Sequence, residues 1–305
     1  MASRGIAPEL LEPWVKKIFF KRFARRKNQF EEVFNVDTSS RAFEDTFAVA
    51  GLGTFTVKPE GVPVTYDDPV QGDRKRTIML TFALAFRVTM ELMEDDQHGL
   101  IRKMPGDLAE SGDYSMETLA AGLVNDAFAG ASYTGLPEGD GTRRALCSTA
   151  HVFLKNSVDT WSNALSPAVA LSTSGIEAAI TIARKQKGEE GRYVQLRLVK
   201  LIVPPELEWT ARKLLDTDRE PFSADNTSNE IGKEGISIMS WVHLSSATRW
   251  FMSAPKTDTT LTFYKRKGMT FDEATDSDTF DRKFMAHYRA NVTFDDPRGI
   301  VGSNA

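Results

Sequence analysis

The sequence is nearly free of cysteine, since Cys147 is the only one among 305 residues. A single cysteine excludes an intrachain disulfide and any metal site built from several thiolates. The chain has no run of 18 apolar residues for a membrane span, and no apolar N-terminal stretch followed by a small-residue cleavage site. These absences exclude disulfide-rich scaffolds and predict a protein of cytoplasmic origin with no membrane partner.

Common catalytic and cofactor motifs are also missing. There is no glycine-rich phosphate loop and no zinc-binding helix. Cys147 and His151 could act as nucleophile and base, but a catalytic pair also needs an orienting third group and a cleft. The stretches 94–98 and 225–229 are more typical of a charged helix start and a turn than of metal loops. We therefore predict no enzyme activity, no metal and no cofactor.

The chain does contain enough apolar residues for a core, because 41% are hydrophobic and 10% aromatic. Its net charge of -4 argues against a surface coated by nucleic acid. The charge is unevenly spread: residues 14–30 contain seven Lys or Arg and no acid, whereas residues 272–281 contain five acids and no base. Both segments are candidates for contacts with other molecules.

The basic segment has the pattern of an amphipathic helix, with Val15 and Phe19 on its apolar side. Three interpretations stay open: a surface helix on its own domain, a membrane-surface helix, or an arm that lies on a neighbouring subunit or near nucleic acid. The candidate contact residues are Lys16, Lys17, Lys21, Arg22, Arg25 and Arg26.

Residues 46–92 have the pattern of a long hairpin. Residues 46–57 are extended, 58–77 are polar with three prolines and two glycines, and 78–92 have an apolar side chain at every even position. Two extended arms joined by such a tip cannot bury both faces in their own domain. We predict a protruding hairpin that another subunit completes, with a flexible surface loop as the alternative.

The other elements mix helices and strands without regular alternation, which is typical of an α+β fold. At Pro204 and Pro205 a strand runs directly into a helix, and the prolines remove the backbone N–H groups that a phosphate-binding turn needs. We interpret this junction as scaffolding. Helices are predicted within 95–111, after an N-cap at Ser115 and at a capping box from Ser174 to Glu177; strands are predicted at 194–203, 236–244, 248–253, 261–266 and 284–294.

Six stretches distributed over most of the chain carry a family resemblance. They are KPEGVPVTYDD (58–68), FRVTMELMEDDQHGLIRKMPGDLAES (86–111), GDGTRRALCSTAH (139–151), KLIVPPELEWTARKLLDTDREPFSADNTSN (200–229), WFMSAP (250–255) and YRANVTFDDPRGIVGS (288–303). In this order and spacing they resemble the major capsid proteins of tailed phages with the Hong Kong 97-type fold, and specifically the Mu-like major head subunit family.

The resemblance implies a structural subunit that forms hexamers and pentamers of an icosahedral shell around double-stranded DNA, assembled in the host cytoplasm and present in the virion. The implied parts are an N-terminal arm (1–45), an extended loop (46–85), a peripheral domain (86–140 and 259–297) with a spine helix at 95–130, and an axial domain (141–258). Whether the C-terminal residues 298–305 return to the axial domain is left open.

The resemblance also implies partners and contact residues. Expected partners are further copies, a separate scaffold protein, a portal and packaged DNA without sequence preference; a decoration protein stays open, and no cleaved propeptide is expected. Two alternatives remain, an encapsulin-like compartment with the same fold and a soluble hydrolase using Cys147 and His151. Inter-subunit contacts are expected at Lys58, Glu60, Arg74, Lys75 and Arg76 in the loop and at Asp276 and Asp278 in an acidic loop at 268–281.

Overall fold

The computed structural model describes residues 8–25, 28–95, 100–129, 137–156, 158–217 and 228–305. Two four-stranded sheets, two small two-stranded sheets and several helices make up these ranges. Helices and strands do not alternate regularly along the chain, which confirms the predicted α+β class. In the ranges described, no helix has both the length and the apolar character needed to cross a membrane.

The larger sheet, here sheet I, has the strand order β1 (Asn35–Thr38), β10 (Thr262–Thr275), β11 (Arg282–Thr293) and β4 (Leu80–Val88). Two helices pack against it, α1 (Pro8–Phe23) and α3 (Leu100–Asn125). Phe19, Phe271 and Phe284 are buried between the helices and the sheet. This layer therefore holds the N-terminal helix against the body of the subunit.

Strand β11 confirms the alternation predicted for 284–294, because every even-numbered residue in that range is buried. Phe284 stacks on Phe86 of the neighbouring strand with ring centroids 5.0 Å apart, and Tyr288 stacks on Phe82 at 4.9 Å. One face of this strand is therefore core, as its sequence predicts.

The second sheet, sheet II, has the order β12 (Ile300–Ser303), β9 (Trp250–Ser253), β7 (Lys200–Val203) and β8 (Ser237–Ser240). Its helices are α4 (Thr173–Arg184) and α5 (Pro205–Leu215). Strand β7 begins later than the predicted 194–203. Pro204 is the N-cap of α5 and Pro205 its first residue, and the helix buries Ala211, Leu214 and Leu215. The interpretation of this junction as a structural element agrees with that packing.

A central core joins the two sheets and α3. Trp241 and Phe251 from the side of sheet II meet Phe263 from sheet I, and Met116 of α3 lies among them. The indole N–H of Trp241 donates to Glu117 Oε2 at 3.0 Å, so this buried carboxylate has a partner. The shorter elements are α2 (Met90–Asp95), β5 (His151–Val152), β6 (Thr160–Trp161) and the 3₁₀ turns Phe30–Glu32, Gly232–Glu234, Lys256–Asp258 and Pro297–Gly299.

The protruding hairpin consists of β2 (Phe43–Ala50) and β3 (Val70–Ile78), joined by a tip, residues 51–69, without regular secondary structure. The tip therefore lies earlier than the predicted 58–77, and the strand predicted for 78–92 is shorter, because β4 covers 80–88 and Ile78 ends β3. The N–H of Met79 donates to Ala42 O at 3.1 Å, which closes the base of the hairpin. Beyond it the chain changes partner from β2 to β11, and it becomes helical at Met90.

Three other predicted boundaries also differ. The two helices expected on either side of Ser115 are one helix, α3, and the Ser115 hydroxyl bonds to the Tyr288 hydroxyl at 2.7 Å instead of capping a terminus. Helix α4 is capped by Ser172, which accepts from the Gly175 N–H at 3.2 Å. Most of the predicted acidic loop 268–281 belongs to strand β10.

Candidate inter-subunit surfaces

The hairpin exposes a long series of apolar side chains. Nearly half of the exposed large apolar residues in the described part of the chain lie in the hairpin, between 43 and 78. In the tip, Phe55 is fully exposed, Val57 is 94% exposed and Tyr66 is 92% exposed. Extended apolar surface of this kind is typical of an interaction site. Sequence reasoning placed contacts on the charged residues of this loop and missed these apolar ones.

The outer side of the hairpin carries the predicted cations Arg74 and Arg76. Both pair with Asp45 on the opposite strand, at 3.5 Å for Arg74 and 2.8 Å for Arg76. The hydrogen bond from Arg76 lowers the pKa of Asp45, and the Arg76 guanidinium also lies 3.8 Å from the centre of the Phe43 ring. Lys58 and Glu60 are exposed at the tip. These four predicted contact residues are thus accessible to a neighbour.

Lys75 lies on the opposite side of the ribbon and has no exposed surface. Its ammonium group donates to Thr293 Oγ1 at 2.8 Å, to Phe294 O at 2.6 Å and to Asp295 Oδ1. Burial lowers the pKa of Lys75, and the Asp295 carboxylate opposes that shift. The inter-subunit contact predicted for Lys75 does not fit this position, because the side chain fastens the hairpin to its own subunit.

The second candidate surface is the turn between β10 and β11, which contains Asp276 and Asp278. Lys283 Nζ donates to Asp276 at 2.6 Å and lowers the pKa of that carboxyl group. Asp278 is exposed. Phe280, which the sequence did not single out, is 65% exposed and has a φ of 58°, a left-handed conformation that a phenylalanine rarely adopts. The turn therefore presents one apolar ring among acids.

Helix α1 carries the basic candidates. Val15 and Phe19 are buried, and Phe19 packs on Phe271 with ring centroids 4.9 Å apart. Arg22 pairs with Glu110 of α3, whose oxygen lies 2.7 Å from Arg22 Nε. The helix is thus docked on its own subunit with a basic face in solvent. Lys16, Lys17 and Lys21 are exposed there, Arg25 is exposed just beyond the end of the helix, and Arg26 lies outside the described residues.

Cys147 and His151 do not form a catalytic site. Cys147 is buried, and burial raises the pKa of its thiol, which disfavours the thiolate that a nucleophile needs. The His151 ring is also buried; Nδ1 bonds to Glu138 Oε1 at 2.5 Å and Nε2 to Asn163 Oδ1 at 3.0 Å. Both ring nitrogens therefore have partners other than the cysteine.

The structure also shows no metal site within the ranges described: no cluster of His, Cys, Asp and Glu there could hold an ion. Of the two stretches weighed for metal binding, 96–98 and 225–227 lie outside the described residues. The exposed apolar side chains of the hairpin favour association with another molecule.

Comparison with known proteins agrees with this conclusion. The family model for phage capsid protein matches residues 75–303. No curated protein sequence matches the chain.

Solved structures show the same fold at low identity. The capsid of a native GTA particle is 13% identical, with a TM-score of 0.58 over 90% of this chain and 89% of that one. The procapsid of bacteriophage JBD30 is 15% identical, with a TM-score of 0.52 over 98% and 76%. The virus-like particle from Pyrococcus furiosus is 10% identical, with a TM-score of 0.54 over 96% and 98%. These likenesses confirm the expected Hong Kong 97-type fold.

The family match also bears on function. It covers far more than half of the sequence and describes a structural protein, in agreement with the prediction that the chain is not an enzyme. On this evidence the chain belongs to the phage capsid protein family.

Proposed function

We propose that the chain is the major capsid subunit of a tailed phage, and that its copies form the hexamers and pentamers of an icosahedral shell around double-stranded DNA. The observation that carries this proposal is the hairpin tip, where Phe55, Val57 and Tyr66 have almost no cover from their own subunit. In a closed shell every tip meets a neighbour of the same sequence, so one apolar surface is covered at every copy.

We assign the parts of the subunit along the implied division, except that strand β1 of the predicted arm (1–45) belongs to sheet I because it pairs with β10. The extended loop is the hairpin 43–78, and strand β4 belongs to sheet I because it pairs with β11. Sheet I with α3 corresponds to the peripheral domain and sheet II to the axial domain. In this arrangement the acidic turn 276–281 meets its equivalents from neighbouring capsomers, with Asp276, Asp278 and the exposed Phe280 as its contact residues.

The basic face of α1 suits the packaged DNA. Lys16, Lys17, Lys21 and Arg25 are all exposed, and phosphates attract such a face without regard to base sequence. A neighbouring subunit is the other open partner for this face. The test is the affinity of free subunits for DNA at increasing salt concentrations. If the affinity falls with salt, and the fall disappears after these four residues are changed to Gln, DNA is the partner.

Other partners belong to the same proposal. Assembly takes place in the host cytoplasm on a separate scaffold protein and a portal. Whether a decoration protein also binds the shell is left open. The encapsulin-like alternative is not favoured, because the family that matches is a phage capsid family. The likeness to the Pyrococcus furiosus particle, at 10% identity, concerns the fold alone.

Expression of the chain, alone and with the scaffold gene of its source, tests the proposal by sedimentation and negative-stain microscopy. We expect closed shells with scaffold, and capsomers, sheets or tubes without it. A stable monomer at high protein concentration with scaffold present would overturn the proposal.

A further inference from the structure

The tip is attached to its own subunit by a few polar contacts. Lys155 Nζ lies 2.9 and 3.0 Å from the two Asp67 carboxylate oxygens, and the Gly51 N–H donates to Glu190 Oε1 at 2.8 Å. Asp67 also accepts from the Gly53 N–H at 2.6 Å, and this bond, followed by the one from Lys155, lowers its pKa. The tip is thus bound across 51–67 by one ion pair and one backbone hydrogen bond to the body.

The space beneath these contacts is largely empty of protein. A cavity of about 870 Å³ lies there, bounded by Gly53 and Asp67 from the tip and by Trp161, Lys185 and Glu190 from the body. The tip therefore bridges the body without packing on it. The side chains of Phe55, Val57 and Tyr66 contribute nothing to this attachment, since they are almost fully exposed.

The ribbon also has a break at which its tip could change direction. At the base, Thr46 and Lys75 lie opposite each other and both donate to Asp295. The strand register shifts immediately beyond them, between Phe47 and Val49. A β-bulge of this kind bends and twists a ribbon. The base is fixed, and beyond the bulge Ala50 is buried and Gly72 lies against the Leu154 side chain. The tip itself, residues 51–69, is attached to the body through the polar contacts described above.

We propose that the free subunit is tethered in cis: the Asp67–Lys155 ion pair and the Gly51–Glu190 hydrogen bond hold the hairpin tip on its own body, and release of the tip limits the start of shell assembly. This rests on the proposed function. The tether consists of one partly exposed ion pair and one hydrogen bond and is therefore weak, so a neighbour that covers the apolar side chains of the tip can displace it. The tether thereby keeps the tip on its own body until a neighbouring subunit displaces it.

Covalent locking tests the tether directly. The variant Asp67→Cys with Lys155→Cys is treated with a short, reducible bis-maleimide; Cys147 is buried, so the two introduced thiols are the reactive ones. We expect the locked subunit to form no particles, and cleavage of the linker to restore assembly. Assembly of the locked subunit at the rate of the cleaved one would overturn the tether and leave the proposed function intact.

A second variant needs no linker. Lys155→Gln removes the ion pair and should shorten the lag before light scattering rises, by several-fold, and speed amide exchange in residues 51–69 of the free subunit. Lys233→Gln is the matched control, since it removes an equally charged side chain from the exposed pair with Glu230. Equal lags and exchange rates in the two variants would overturn the tether. Failure of the wild-type chain to assemble would instead overturn the proposed function, and the tether with it.

Discussion

Two antiparallel hairpins of this subunit use their side chains in opposite ways. In β10–β11 the alternate residues of 284–294 are buried against α1, α3 and the central core. In β2–β3 the ribbon is held at its base, and the tip beyond it leaves its apolar residues in solvent. The first hairpin is stabilised by its own chain. In the proposed shell a neighbouring subunit covers the second hairpin, and this difference would separate folding from assembly.

Removal of the tip should have the largest effect on assembly. Ala50 and Val70 are paired across the ribbon, so a four-residue Gly-Ser link can replace 51–69 without disturbing β2 or β3. We expect an unchanged free energy of unfolding, measured by denaturant titration, and no closed particles by electron microscopy.

A control of unchanged length separates the apolar surface from the loop itself. Changing Phe55, Val57 and Tyr66 together to Ser keeps every residue of the backbone. This variant should also fail to close particles. Normal particles from both variants would mean that the hairpin is only a surface loop.

Phe284→Ala should have the opposite signature. Its ring is fully buried and stacks on Phe86, so truncation should lower the free energy of unfolding by about 3–5 kcal/mol. Particles should be lost only because folded subunits are scarce. Thermal unfolding of the purified subunit checks this; an unchanged midpoint with loss of assembly would contradict the assignment of this strand to the core.

Lys75→Met tests the boundary between the two regions. The change keeps the apolar stem but leaves Asp295 without its cation, which typically costs about 3–5 kcal/mol for a buried pair. We expect the lower end, because the Asp295 side chain is 29% exposed. Faster amide exchange should appear in β2 and β3 and not in β11. Uniform loss of protection throughout the subunit would contradict a local anchor.

Changing Arg74 and Arg76 together to Glu should have the smallest effect on folding. Both are exposed and their pairs with Asp45 cross the ribbon surface, where such pairs contribute about 0–1 kcal/mol. Assembly should weaken while the melting temperature of the free subunit hardly changes. The matched control is Arg184→Glu, which disrupts the pair between the end of α4 and Glu234 in the 3₁₀ turn Gly232–Glu234. Equal assembly by both variants would remove these arginines from the interface.

The parts of the fold that the sequence predicts are those whose pattern depends on the core of the same chain. Strand β11 was predictable because the residues of one face are all buried in the core, which produces a regular alternation of apolar and polar residues in the sequence. The α5 junction was predictable because two prolines define where the helix begins. The resemblance to tailed-phage capsid proteins, carried by ordered stretches of the chain, supplied the family and fold that the comparisons confirm.

Other features could not be read locally. The alternation of 78–92 continues past Met79, where the chain changes partner strand, because period-two spacing records the faces of a strand and not its neighbour. Met90 and Leu92 fit a strand and a helix equally well. The burial of Lys75 depends on Asp295, 220 residues away. Its sequence neighbours Arg74 and Arg76 suggested an exposed position, which only those two residues have.

Hydroxyl-radical footprinting of the aromatic side chains, in free subunits and in purified particles, tests the central claim most directly. Phe55 and Tyr66 should be oxidised readily in the free subunit and protected in particles, whereas Phe284 should be protected in both. Equal oxidation of Phe55 and Tyr66 in the two states would show that no neighbour covers the tip, and would contradict the account.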